Sequence, residues 1–312
     1  MSEKKAIREG FGEALVELGK TNDKVVVLSG DLEDATKAIL FKKEFPERFF
    51  QIGISEQDMV GEAVGMSKEG LIPFAASFAV FLTNRAYDQI RISVCFNNSN
   101  VKLVGSHGGL TVGQDGATAQ CLEDFAIMRV LPTMTVVCPC DAIEVKKVVH
   151  AMAKLQGPVY MRTGRPPSEI LTKESDPFEI GKTNVMREGT DVTIIGCGLI
   201  LAECLSAADI LKEKGISVRV LNMHTIKPID RDAIKKAADE TGHIVTVEEH
   251  QIHGGLGSAV CEVLAQEKKL VSVEMAAVRD SFGESGTPDE LLTKYSLKDI
   301  NIVDAVQKVL EK

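Results

Sequence analysis

Short apolar runs rich in β-branched residues recur along the chain, separated by stretches whose apolar positions repeat every three or four residues. Val25-Val26-Val27-Leu28, 49–54, 71–76, 101–104, Thr135–Val137 and Val159–Arg162 have the length and composition of buried strands. Residues 7–18 carry an apolar stripe of helical period, as does 56–68, where Ser55 and Asp58 have capping-box spacing and Gly70 supplies a stop. Phe81, Leu82, Ala86 and Ile90 mark a third helix. Strands alternating with helices predict a parallel sheet with helices on its faces, the α/β class.

The pattern lapses after Arg162. Prolines stand at 158, 166, 167 and 177, and strong periodicity returns only at Asp191. A structureless connection of that length is unusual inside one compact domain, so 166–188 reads as a linker between a first domain, 1–165, and a second, 189–312. The second predicts strands at 192–195, 218–221, 244–247 and 271–276 and helices at 201–214 and 257–265, a smaller doubly wound unit. A length of 312 residues suits two such domains.

Charge narrows the partners. A net charge of −9 and a pI near 5.3 argue against nucleic acid and membrane surfaces, which call for basic patches. No apolar run approaches the roughly 18 residues that cross a bilayer, and the first residues lack the apolar core of a signal peptide. Seven cysteines, an odd number in mostly apolar contexts, predict reduced thiols and a cytoplasmic setting. Cys138 and Cys140 form a C-x-C pair, but no second cluster stands at metal-ligand spacing, so no metal ligands are expected on this chain.

Most local motifs reduce to ordinary structure. Gly196-Cys197-Gly198 lacks the third glycine and the acidic residue of a dinucleotide fingerprint and reads as a tight turn. His150, His224 and His243 stand alone. Gly254-Gly255-Leu256-Gly257 opens a helix and reads equally as a turn or as a cradle for an anion. Glu56 is different, because it falls where a strand's C-terminal end meets a helix N-terminus, the place where open α/β sheets bind ligands. The same position would also favour a carboxylate by charge complementarity with the helix dipole alone.

The segment 52–66 around Ser55-Glu56-Gln57, the segment 73–91 with Phe78 and Phe81, the loop Gly105-Ser106-His107-Gly108-Gly109 leading to Gln114-Asp115-Gly116, and Glu248-Glu249-His250 with the glycines at 254–257 follow one another in order. In that order and spacing they resemble the transketolases, over essentially the whole chain. The resemblance implies a thiamine-diphosphate pyrimidine-binding domain followed by a transketolase C-terminal domain, with ketol transfer between sugar phosphates as the activity. It places Glu56 against the cofactor's aminopyrimidine, Phe78 and Phe81 as the aromatic wall, and Asp31 near the cofactor. It assigns His107 and Asp115 to substrate hydroxyls, His107 also among the catalytic residues, and Arg8, His107 and Arg162 to the sugar phosphate, which arginine can grip bidentately.

The departures from the family are equally informative. Gly30-Asp31-Leu32 and Gln114-Asp115-Gly116 each lack one glycine of the Gly-Asp-Gly motif that anchors the diphosphate through Mg²⁺. The resemblance therefore implies a split enzyme. An N-terminal transketolase subunit would carry the diphosphate-binding domain and the Mg²⁺ ligands, the apolar surface around Phe78, Phe81 and Leu82 would face it, and a heterotetramer would result. Ala119 stands where the family carries histidine or glutamine, and Ala35 where it carries serine, so either Thr36, Thr118 and Gln120 compensate or the substrate is unusual. Two other readings compete: a β subunit of a 2-oxoacid dehydrogenase E1 component, which has the same two-domain layout but is expected to lack the combination of residues 105–109 and 113–117, and a non-catalytic interaction subunit, which Ala35 and Ala119 favour.

Overall fold

The computed structural model describes residues 4–311. Its larger sheet has seven strands in the order Thr225–Lys227, Thr135–Val137, Val159–Arg162, Lys102–Ser106, Ile72–Phe78, Val25–Ser29 and Phe49–Gln51. All its pairings are parallel except that of Thr225–Lys227. Both faces of the strands are apolar because both are covered. Val25 and Val27 pack with Phe11, Leu15 and Val148 from helices Ile7–Thr21 and Glu144–Lys154. Val26 and Leu28 pack with Met59, Val60 and Leu82 on the opposite face.

The smaller sheet orders Ser272–Val278, His243–Gln251, Val192–Gly196, Val218–Asn222 and Asn184–Arg187, the last antiparallel. One of its faces shares a core with the larger unit, since Ile195, Leu221 and Ile244 belong to the cluster that holds Met59 and Leu82. The doubly wound α/β architecture expected from the pattern is present in both units.

Several local expectations are corrected. Helix Glu56–Lys68 forms, but Ser55 makes no side-chain cap, and Asp58 is exposed. The strand before it stops at Gln51 because Gly53 turns the chain at φ +80. Lys4–Ala6 is a strand ahead of the first helix and pairs antiparallel with Pro167–Glu169. The proline-rich segment is thus tied down at both ends, by that pair and by Asn184–Arg187 on the second sheet. Leu82 is fully buried and belongs to the core, not to a partner-facing surface.

Asp141 fixes the middle of that segment. Its fully buried carboxylate accepts from the Ile143 and Glu144 amides (2.9 and 2.7 Å), the Leu171 and Thr172 amides (2.8 and 2.6 Å) and the Thr172 hydroxyl (2.9 Å). It caps the start of one helix and pins a loop about thirty residues on. Removing it leaves buried amides without a partner, and the cost follows from their desolvation. Asp141→Ala is expected to lower unfolding free energy by about 2–4 kcal/mol in urea denaturation; a loss under about 1 kcal/mol would show that water replaces the carboxylate freely.

Candidate active site

The chain reverses its winding direction between Val25–Ser29 and Ile72–Phe78: Phe49–Gln51 lies on one side of that strand pair and Lys102–Ser106 on the other. A crevice opens beyond the carboxyl ends of strands at such a switch point. The residues singled out in the sequence follow these strands in turn. Asp31 comes after the first, Glu56 after the second, Phe78 and Phe81 at the end of the third, and His107 after the fourth.

Glu56 is 2% exposed yet forms part of the wall of a cleft of about 470 Å³ with Ile54, Ser55, Gln57, Asp58 and Arg85. Its carboxylate sits in the first turn of its helix, where the unpaired amides favour negative charge. Ser77 Oγ donates to Oε1 at 3.2 Å, and Arg85 Nη1 donates to Oε1 and Oε2 at 3.3 and 3.1 Å. The Arg85 guanidinium also lies 4.2 Å over the Phe81 ring. Gly30 borders the same spot, with space for a Cβ only 3.7 Å from Glu56 Oε1. Asp31 is exposed at φ +63, and its amide is held by Gln51 Oε1 at 2.9 Å.

Phe78 and Phe81 are half-buried, with ring centroids 5.7 Å apart and near-parallel planes. The His107 imidazole stacks on Phe78 at 4.0 Å between centroids. Aromatic wall and histidine are therefore one continuous stack. His107 is buried at φ +59 and bonds Ser106 Oγ through Nδ1 at 2.9 Å. Burial, aided by the positive fields of Arg8 and Arg165, pushes its pKa down to about 3, so the ring is neutral at physiological pH.

The arginines divide differently from expectation. Arg8 is half-buried and donates to the Ala35 carbonyl at 2.9 Å; burial and the like charge of Arg165 pull its pKa down, against Glu9. Arg162 is closed off. It is 4% exposed, donates to the Cys121 and Glu249 carbonyls at 3.0 and 2.7 Å, pairs with Asp124 at 3.5 Å, and lies 4.5 Å over Phe125. Enclosed in that way, the guanidinium clasps two backbone carbonyls and Asp124 rather than facing open space, against the expectation that it holds the sugar phosphate. Arg165, three residues on, is the partly exposed one: it lies 3.6 Å from Asp115 and acts electrostatically on Arg8 and His107.

Sequence reasoning missed Arg165, Arg85 and Ser77. A signal for Arg165 was available, because Arg162 is inside the strand while Arg165 stands in the loop beyond its carboxyl end. The cradle reading of 254–257 is corrected: Glu248 already fills that helix start, accepting from the Leu256 and Gly257 amides at 2.7 and 2.8 Å. Among the described residues, no cluster of His, Cys, Asp and Glu is arranged to hold a metal, and no helix is long and apolar enough to cross a membrane.

This fold and crevice define a two-domain α/β enzyme subunit with a carboxylate and an aromatic wall at the switch point and a cationic group beside it. Residues 3–168 match the transketolase pyrimidine-binding domain, and 181–302 match the transketolase C-terminal domain. A chain named as a transketolase C-terminal section from Methanocaldococcus jannaschii is 46% identical, over 99% of this chain and 97% of that one. The 6-deoxy-6-sulfo-D-fructose transketolase subunit SqwH of a Clostridium strain is 39% identical over 98% and 95%. Human transketolase is 39% identical over the whole chain, which spans 50% of its length.

A split gene transketolase solved as an inactive β4 tetramer is 47% identical, with a TM-score of 0.92 over 98% of both chains. Campylobacter jejuni transketolase, at 20% identity and a TM-score of 0.85, shares the fold. The chain belongs to the transketolase family, and it is a transketolase subunit; a 2-oxoacid dehydrogenase β subunit is not the reading these matches favour.

His107 makes stability pH-dependent. The unfolded chain takes up a proton there below about 6.5, and the folded chain only near 3. Stability is therefore lost as pH falls through that window. The difference in unfolding free energy between wild type and His107→Gln is expected to be flat above pH 7 and to shrink below it; a pH-independent difference would rule out the depressed value.

Proposed function

We propose that this chain supplies the pyrimidine-side half of a split, thiamine-diphosphate-dependent transketolase that moves a two-carbon ketol unit from a ketose phosphate to an aldose. The observation that carries the reading is the buried Glu56 carboxylate facing an open cleft beside the Phe81–Phe78–His107 stack. These residues fit an aminopyrimidine, which needs an acceptor for its ring N–H and a flat apolar wall. Asp31 borders this side of the crevice. When bound, thiamine diphosphate supplies the nucleophilic carbon for ketol transfer.

Glu56 would hold and exchange a proton with the pyrimidine ring, in a site dry enough to make that contact strong. A ring seated on Phe81 would take the place of the Arg85 guanidinium. Neutral His107 would orient a hydroxyl by hydrogen bonding without adding charge, and Asp115 would accept from another. Arg8 and Arg165 would grip the terminal anion from two sides. The partner is an N-terminal transketolase subunit that binds the diphosphate through Mg²⁺, and two copies of each chain make a heterotetramer in the cytoplasm. The near end-to-end match to a transketolase C-terminal section and to a split gene transketolase supports that division.

The donors missing at Ala35 and Ala119 are only thinly compensated. The Thr36 hydroxyl bonds the Leu32 carbonyl at 2.9 Å, and Gln120 bonds the Leu110 and Glu284 carbonyls at 3.2 and 2.9 Å. Thr118 alone of the three is exposed. This favours a second reading of the donor, since a sulfonate carries one charge against about −1.5 to −2 for a phosphate monoester. One relative is named for a sulfo sugar.

The co-purified complex with thiamine diphosphate and Mg²⁺ is expected to release glyceraldehyde phosphate from xylulose 5-phosphate with ribose 5-phosphate as acceptor. A preference for 6-deoxy-6-sulfofructose would establish the second reading, and failure with both donors would reject ketol transfer. Glu56→Gln is expected to lower kcat by at least about 10²–10⁴-fold. Arg165→Ala should raise KM for the anionic sugar with little change in Tm, whereas Arg162→Ala should lower Tm; the reverse pattern would return Arg162 to the substrate site.

A further inference from the structure

We propose that Glu249 is a positioning residue supplied by the second domain: its carboxylate fixes the glycine-rich loop that carries His107 and Asp115 and thereby sets the affinity for the sugar. The proposal rests on the ketol-transfer reading above. Every group assigned there to cofactor or sugar comes from the first domain, which leaves the second without a stated part in the reaction.

Gly108 N–H donates to the Thr163 carbonyl at 3.1 Å and Gly109 N–H to the Cys121 carbonyl at 2.9 Å, both within the first domain. The next segment turns to the second domain: Thr111 N–H donates to Glu249 Oε2 at 2.9 Å. This is the start of the tight turn Leu110–Asp115, so Glu249 anchors one end of the segment whose other end is Asp115.

Contact is direct. A Cβ built on Gly109 would stand 2.6 Å from Glu249 Oε2, and one on Gly108 2.2 Å from Arg162 Nε. Only glycine lets the loop lie flat against both charges, and Gly109 also takes φ +93. Burial raises the Glu249 pKa, while Arg162 and the Thr111 and Leu110 donors oppose that rise. Arg162 Nη2 also donates to the Glu249 carbonyl at 2.7 Å, fixing the backbone from which the carboxylate projects. The buried Gln120 adds a second tie, from the Leu110 carbonyl to the Glu284 carbonyl. Misplacement of a binding group by about 1 Å is enough to cost affinity and rate, so a loop held from the other domain links domain docking to substrate binding.

The test uses Glu249→Ala and Glu249→Gln, each purified with the diphosphate-binding subunit. Glu249→Ala is expected to raise KM for the ketose phosphate about tenfold, the scale of one lost hydrogen bond to a charged group, with a smaller change in kcat and in half-saturating thiamine diphosphate. Amides 108–113 should exchange hydrogen faster while the sheets keep their protection. Glu249→Gln retains one acceptor oxygen and should fall between, which decides the matter if the alanine variant does not fold.

Wild-type KM and exchange in either variant would overturn the proposal, as would faster exchange spread evenly over the whole chain. A wild-type complex without ketol transfer would reject the earlier reading instead. Exchange at 108–113 in the three full-length chains would then still decide whether Glu249 holds the loop.

Discussion

A guanidinium sealed between two domains has to find partners for its charge and its donors, and Arg162 meets that constraint. Asp124 and Glu249 lie close enough to keep its pKa above the ordinary value even though burial pulls against it. Asp124 is held in turn by the Tyr160 hydroxyl at 2.7 Å. Removing one member of such a set strands a buried charge, at a cost of several kcal/mol. The path of the glycine loop, the docking of the second domain at Glu249 and the packing of Phe125 all follow from where this one side chain lies.

Electrostatics then separate the crevice into two ends. Around Glu56 the helix start, Ser77 and Arg85 gather donors; around His107 the two partly buried arginines favour an anion, and burial together with their fields keeps the imidazole neutral. The stack from Phe81 through Phe78 to His107 spans the distance between them. The ketol transfer proposed above would place an aminopyrimidine at the first end and a sugar anion at the second. The switch point of the sheet makes this possible, because strands diverging there deliver residues from four successive loops to one opening.

The second domain does more than follow the first. Thr225–Lys227 adds an antiparallel edge to the larger sheet, and apolar residues from both units share one core. Asp141 anchors the connecting segment on its way across. A seam with that much burial makes the two units move together, so a contact such as Glu249 with the glycine loop keeps its geometry.

The strands, most of the helices and the position of Glu56 were legible because they depend on local pattern: β-branched runs, helical spacing and a strand-to-helix junction. The same local reasoning failed where partners are distant in sequence. Ser55 and Asp58 had the spacing of a cap but do not close one, and Leu82 looked like surface but packs in the core.

Proline-rich composition suggested a loose linker, yet Asp141 and two short strands order it through contacts that composition does not encode. Arg162 and Arg165 are the sharpest case. Sequence alone determined that one arginine ends this strand and another follows three residues on, with a glycine-rich loop earlier in the chain. Which arginine is enclosed and which faces the crevice was decided only by the tertiary structure, because burial and the company of Asp124 and Glu249 are set by the docking of two domains.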